Sequence, residues 1–517
     1  MFSTVTSAAI CGISSLPIQV EVDISPGLPS FQMVGYLSNE VREAKDRVKV
    51  ALKNAGFGLP PMCIHVNLAP ADTRKEGTAF DLPIAIALLA ALSYLEASNL
   101  DQVLLVGELG LNGEIKPIPG VLPMVRMAKT LGLKYCLVPA ENAREGAVVE
   151  GILVIGVKHI TEVISYLSAA ETARNEIISP TTVDTNTLFS NASTEVPPDF
   201  ANINGQFLVK RAAQIAAAGF HNLLMIGPPG SGKTMVARCL PGILPPLTME
   251  ESLEVTTVYS IAGLLPKDKA LLTERPFVNP HHTITPGALA GGGRIPRPGA
   301  ISRAHHGILF LDELTEFSRT TLDLLRQPLE EGQIHISRNY GSYTYPANVM
   351  LVGACNPCPC GYYPDLTKCH CTSTEIHRYL SRLSGPMIDR FDLCVEAPRV
   401  SLTDLTINKE NPSSSDMQKQ ILKAISMQEK RFANTPISFN SNMDSSLVQE
   451  HCVLDAEGQA FMESAFASLN LSARSYHRIL KVARTIADLE ECEQITQTHL
   501  AEAVCYRMNI NKFWERT

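Results

Sequence analysis

Apolar positions fall in short runs bounded by turn residues and in longer stretches of helical spacing, which predicts an α/β protein. Strands are expected over 20–24, 64–68, 103–107 and 135–139. Helices are expected over 38–54, capped by Ser38 and stopped at Gly56, and over 80–95. Together these make residues 1–170 one α/β domain. Residues 171–197 are polar and turn-rich and read as a linker. A second α/β unit, 198–400, predicts a helix over 207–218, buried strands over 223–226 and 308–311, and a helix over 320–331. Alternation on both sides of Tyr340-Gly341 predicts a hairpin over 333–349 with its tip near 339–342, followed by a strand over 349–354. Residues 401–517 read as a helical lid that begins with a polar loop over 408–415; its main helix opens at 471–478 and runs to 489.

The strand at 223–226 breaks at Gly227-Pro228-Pro229-Gly230, passes Ser231-Gly232 and resumes as a helix at Lys233-Thr234. This is the phosphate-cradling pattern G-x-x-x-x-G-K-[ST]. Its backbone must curl so that N–H groups face phosphate oxygens, and glycine permits that curl. Lys233 is placed for the β- and γ-phosphates of ATP, and Thr234 for Mg²⁺. About 80 residues later, Ile308-Leu309-Phe310-Leu311 ends in Asp312-Glu313. Asp312 would join the Mg²⁺ shell and Glu313 would polarise the attacking water.

Composition narrows the setting. A hydrophobic content of 45% supports sizeable cores. No apolar run approaches the roughly 20 residues of a membrane span, and the amino terminus lacks a signal-peptide pattern, so a cytoplasmic protein without a membrane partner is expected. With 13 cysteines and no secretion signal, metal ligation or free thiols are favoured over disulfides. Cys358, Cys360, Cys369 and Cys371 form C-x-C…C-x-C, which suits structural Zn²⁺ or four free thiols, with His370 as a spare ligand.

The formal charge of −8 excludes a uniformly basic nucleic-acid coat, so any DNA must bind a local channel. Two acid-free windows qualify. The first, between Glu274 and Asp312, holds Arg275, Arg294, Arg297, Arg303, four histidines and Gly291-Gly292-Gly293. The second is the hairpin, where Arg338 alternates with Tyr340, Tyr343 and Tyr345. Cations among aromatics suit single-strand tracking, and subunit packing is the alternative.

Several stretches resemble known families. Lys75-Glu76-Gly77, Asp81-Leu82-Pro83-Ile84-Ala85, 106–115, 117–120 and 138–142 resemble the proteolytic domain of Lon proteases, in the variant shared by magnesium-chelatase-like proteins and the recombination protein RadA. Its serine and lysine positions fall at Ala79 and Leu122, so the resemblance implies the fold (ribosomal protein S5 domain 2-like) without peptidase activity. GPPGSGKT at 227–234, RPFVNPHHT at 275–283, RPGAISRAHHGILFLDEL at 297–314, ACNPCPCGYY at 354–363 and SGPMIDRFDL at 384–393 resemble the ComM and YifB family of magnesium-chelatase-like AAA+ ATPases. The resemblance implies a hexameric, ATP-dependent motor acting on single-stranded and branched DNA during natural transformation, alongside other recombination proteins. It also implies Asn356 as sensor 1, Arg390 as an arginine finger reaching a neighbour's ATP, and Arg474 as sensor 2 touching the γ-phosphate from the lid, with Arg478 as its rival. A chelatase-type ATPase that remodels a partner protein is the alternative; the Lon-like domain is expected to argue against it, because the chelatase subunit is expected to lack one.

Overall fold

The computed structural model describes residues 1–190, 197–293, 296–338, 341–399, 411–469 and 471–514. Its first element is a hairpin, β1 (Phe2–Cys11) with β2 (Ser14–Ser25), paired from Phe2↔Asp23 to Cys11↔Ser14. The inward face of β1 carries Ser3, Val5 and Ser7, so small polar residues mask its alternation in the sequence. There follow β3 (Ser30–Val34), α1 (Asn39–Asn54), β4 (Cys63–Ala69), α2 (Asp81–Ala91) and β5 (Val103–Leu105). The domain continues through α3 (Val121–Thr130), β6 (Tyr135–Pro139), β7 (Leu153–Val157) and α4 (Ile160–Ser168). The seven strands form one mixed sheet in the order β3-β4-β2-β1-β5-β6-β7. Helices α1, α2 and α4 cover one face and α3 the other.

This unit reaches beyond residue 170. Glu171–Ala173 and Arg174–Ile177 are helical. The Arg174 guanidinium is buried over the Tyr135 and Tyr166 rings, 5.6 and 5.7 Å from their centroids. A cation packed on aromatics hides in a polar stretch of sequence.

The second unit contains α5 (Phe207–Gly219), β8 (Leu223–Ile226), α6 (Lys233–Cys239), α7 (Met249–Ala262), β9 (Phe277–Val278) and β10 (Ile308–Leu311). After these come α8 (Arg326–Glu331), the hairpin β11 (Gln333–Arg338) with β12 (Gly341–Pro346), then β13 (Met350–Cys355) and β14 (Leu393–Glu396). The sheet is wholly parallel, in the order β9-β10-β13-β8-β14. Leu223 and Met225 of β8 face one apolar cluster, Leu224 and Ile226 the other. Burial on both faces explains why the strand reads as an unbroken apolar run. The helix expected over 320–331 is two pieces, Arg319–Asp323 and α8. Pro328 has no N–H for the carbonyl of Leu324, which interrupts the ladder there. The hairpin pairs Arg338 opposite Gly341, and its tip lies outside the described residues. Helices α9 (Ser414–Phe432), α10 (Ala473–Leu489) and α11 (Gln497–Trp514) follow. Buried side chains of α9 and α10 join α5 in the cluster on one face of the parallel sheet.

The two α/β units meet along α7. Ser260 donates to the buried Glu145 carboxylate, which also accepts from the Leu122 N–H at 2.9 Å. The Gly120 N–H donates to the Ser260 carbonyl at 3.1 Å. Burial pushes the Glu145 carboxyl up, against the bonds from Ser260, Leu122 and Asn142. Replacing Glu145 with Ala orphans these donors and should lower stability by about 2–3 kcal/mol. Thermal unfolding of Glu145→Ala beside Glu145→Gln measures this; a melting temperature unchanged in Glu145→Ala would mean that the contact is not structural.

Candidate functional site

The loop after β8 curls because of three glycines. Gly230 and Gly232 have φ of +74° and +87°, and an added Cβ at either would meet open space, so backbone angle rather than crowding requires glycine. At Gly227 crowding decides: a Cβ would lie 2.1 Å from the Ala397 carbonyl oxygen. Lys233 at the start of α6 is buried and folds back over this loop. Its Nζ donates to the carbonyls of Gly227 (2.7 Å) and Pro228 (2.9 Å), and lies 3.3 Å from Ser231 Oγ and 3.4 Å from Asn356 Oδ1. Burial pushes the ammonium pKa down, while Cys355 and Asp312 push it back up.

Thr234 Oγ1 donates to Asp312 Oδ2 at 2.8 Å. Asp312 follows directly on β10, next to Leu311, whose partner on β13 is Gly353. Glu313 adopts φ +51°, a left-handed conformation that costs a non-glycine residue about 1–2 kcal/mol. Its exposed carboxylate lies 3.5 Å from His282 Nδ1. Lys233, Thr234, Asp312, Glu313 and Asn356 therefore gather where the strands β8, β10 and β13 end. His282 belongs with them, although in the sequence it reads as part of a basic insert or, paired with His281, as a metal ligand; neither reading signals this contact.

Arg390 and Arg474 lie elsewhere. Asn222, which precedes β8, donates to the Arg390 carbonyl at 2.8 Å, so Arg390 is tied to the end of the sheet away from the Gly227 loop. Its side chain is only 7% exposed and pairs with Glu330 at 2.9 Å. Arg474 is 70% exposed and meets the other oxygen of Glu330 at 3.4 Å. Within one chain Arg474 does not meet the phosphate loop: α10 opens beside Arg390, at the opposite end of β8. Arg478 reaches Asp392 at 3.8 Å and the Phe391 carbonyl at 3.4 Å. Burial would raise the Asp392 carboxyl, but His221, Arg478 and the Asn222 N–H hold it down to about 2.

The basic windows are only partly free. Arg275 is buried and donates to Glu251 and to the carbonyls of Pro245, Pro246 and His306. His305 and His306 both meet Glu254 at 2.9 Å. The Asn348 N–H donates to His305 Nδ1, so Nε2 carries the proton toward Glu254 and is unavailable as a metal ligand. Arg297 and Arg338 are exposed. Arg338 Nε donates to the Gly293 carbonyl at 3.4 Å and Tyr345 to the Pro296 carbonyl at 2.7 Å, which ties the hairpin to the glycine-rich insert. Tyr343 is half-buried and lies against the Gly12 turn of the amino-terminal domain, so its ring is less open than its sequence position suggests. Arg294 and Tyr340 lie outside the described residues.

The sulfurs of Cys358, Cys360, Cys369 and Cys371 lie within 4.8 Å of one another. Cys358 and Cys360 are 3.3 Å apart, and Cys369 lies 3.8 Å from Cys358 and 3.5 Å from Cys360. Their loop borders the phosphate loop: a Cβ on Gly361, at φ +83°, would lie 2.4 Å from Pro229 Cδ. Ala79 and Leu122 are both buried in one apolar cluster, with no nucleophile or base at either position.

Comparison with known proteins bears on this arrangement. The profile for magnesium chelatase, subunit ChlI, matches residues 199–405, and that for its C-terminal part matches 411–507. A third, for subunit ChlI of Mg-chelatase, matches residues 20–142. That profile carries the chelatase subunit's name, so the amino-terminal domain does not by itself set aside the chelatase-type alternative. The chain is also similar over part of its length to Lon protease 2 of Bacillus subtilis, 28% identical over 145 residues, 27% of this chain and 26% of that protein. YifB of Salmonella typhimurium is 43% identical over 97% of this chain and 96% of its own length. The competence protein ComM of Haemophilus influenzae is 42% identical over 97% of both chains. With the phosphate loop, the paired carboxylates and a match along nearly its whole length, the chain belongs to the ComM and YifB family of magnesium-chelatase-like AAA+ ATPases.

Proposed function

We propose that this protein is a ring-forming DNA motor, driven by ATP hydrolysis, that migrates branch points of recombination intermediates during natural transformation. One observation carries the reading. Lys233, Thr234, Asp312, Glu313 and Asn356 gather at one end of a parallel sheet, and Arg390 with Arg474 at the other. One chain therefore holds two half-sites facing opposite ways. A second copy stacked head to tail completes the site, and repetition closes a ring, here a hexamer. The name of the ComM relative supports the role in transformation.

In each completed site the backbone from Gly227 through Pro228, Pro229, Gly230, Ser231 and Gly232 cradles the phosphates. Lys233 exchanges its carbonyl partners for phosphate oxygens. Thr234 and Asp312 hold Mg²⁺, which when bound neutralises charge on the β- and γ-phosphates. Glu313 orients the attacking water, with His282 beside it. Arg390 and Arg474 of the neighbouring copy stabilise the transferring phosphoryl group. The core over 198–400 carries the chemistry, helices α9, α10 and α11 act as its lid, and the amino-terminal domain docks on the core. Arg297 and Arg338, with Arg294 and Tyr340, make the DNA track, and Tyr343 braces it from below. Protein remodelling of the chelatase type is the second reading, favoured by the three ChlI matches.

Cys358, Cys360, Cys369 and Cys371 fit a structural Zn²⁺. Four sulfurs about 2.3 Å from one ion lie about 3.8 Å apart on a tetrahedron. The closest pairs of this cluster span 3.3 to 3.8 Å. All four positions are filled by protein, so the metal would brace the loop against Pro229 without taking part in hydrolysis.

Three measurements test these assignments. Arg390→Ala and Glu313→Gln should each lower ATP turnover at least about 100-fold, and mixing the two variants should restore part of it. Activity that stays absent in mixed rings would sink the shared site. With a four-way DNA junction at fixed salt, wild-type protein should hydrolyse ATP faster and separate the arms. Arg338→Ala should weaken junction affinity while leaving nucleotide affinity unchanged; intact junctions and DNA-indifferent hydrolysis would favour protein remodelling. Metal analysis should find one zinc per chain, lost in Cys358→Ser together with several degrees of melting temperature. Zinc-free protein of full stability would make these cysteines free thiols.

A further inference from the structure

Glu330 has no part in the scheme above, yet it stands where the two arginines converge. Its carboxylate gives one oxygen to Arg390 and the other to Arg474. Two guanidiniums that must act on a single phosphoryl group repel each other while that group is absent. The repulsion is strongest for Arg390, which is nearly buried and whose Nε has no hydrogen-bond partner among the described residues. Burial and the charges of Arg478 and Arg474 disfavour the charged form of Arg390, and Glu330 is foremost among the groups that favour it. A carboxylate shared between two guanidiniums presents a divided negative charge, as a phosphoryl group would.

Glu330 is also placed to move. It is half exposed, near the end of α8, and only Glu331 and Gly332 separate it from β11 of the hairpin. Gly332 has φ +65° and caps the helix by donating to the Pro328 carbonyl at 2.9 Å. A displacement of the hairpin, which carries Arg338, is thus transmitted through one turn of chain to Glu330.

We propose that Glu330 is a positioning residue that stands in for the neighbour's γ-phosphate. In the resting subunit it holds Arg390 and Arg474 together, and it yields them when ATP of the adjoining copy arrives or when the hairpin shifts under load. The inference rests on the shared-site reading. It makes Glu330 a brake on hydrolysis in the absence of DNA.

The test compares full-length Glu330→Gln with Glu331→Gln, which removes the same charge one residue away. ATP turnover without DNA, its half-saturating ATP concentration and its stimulation by a four-way junction are measured for both, with melting temperature as a control for folding. Glu330→Gln should raise DNA-free turnover at least about fivefold, lower the half-saturating concentration and shrink the stimulation, while Glu331→Gln behaves as wild type. Unchanged or lower DNA-free turnover in Glu330→Gln would overturn the brake. An equal rise in both variants would also overturn it, by reducing the effect to surface charge. Arg390→Ala separates the two layers. If Arg390→Ala is inactive and Glu330→Gln is not faster, the shared site stands and the brake fails; if Arg390→Ala retains full turnover, the shared site itself fails.

Discussion

A parallel sheet has two unlike ends, and the arrangement of this protein follows from that constraint. All five strands of the second unit run the same way, so each loop that leaves a strand at its carboxyl end opens on one side. The phosphate loop leaves β8 there, Asp312 and Glu313 leave β10, and Asn356 leaves β13. Anything attached to the entering ends is held away from them by the length of the strands. Arg390 immediately precedes the entry to β14, and its carbonyl is anchored to Asn222, which enters β8. The separation of the two sets of residues is therefore a property of the backbone and not of side-chain rotamers.

Charge burial reinforces the division. At one end, Lys233 is buried and satisfied by the carbonyls of Gly227 and Pro228. At the other, three arginines share Glu330 and Asp392, and the depressed Asp392 carboxyl ties Arg478, His221 and the Asn222 backbone into one network. Between the units, Glu145 and Ser260 make a buried polar contact that fixes α7 against the amino-terminal domain. In the amino-terminal domain, Ala79 and Leu122 are buried in one apolar cluster.

Legibility in the sequence tracked how local each signal is. Ser38 capping α1, the opening of α10 near 471–478 and the pairing across the hairpin all depend on neighbours a few residues apart, and they were readable. β1 was not, because serine and alanine fill its inward positions. Arg174 was not, because its aromatic partners are 8 and 39 residues away. The basic window between Glu274 and Asp312 was legible as a charge pattern only. Arg275, His305 and His306 are occupied by contacts with Glu251 and Glu254, which lie on α7 outside that window.

The sequence by itself determined the phosphate loop, the paired carboxylates, the cysteine quartet and the family, because each is written in contiguous residues whose spacing the chemistry demands. Tertiary structure alone decided which of these meet. It set His282 beside Glu313, laid Gly361 against Pro229, and drew Arg474 to Glu330 and away from the phosphate loop. These contacts join residues 31 to 144 positions apart. Only the path of the chain through the sheet brings such residues together, and no local periodicity encodes that path.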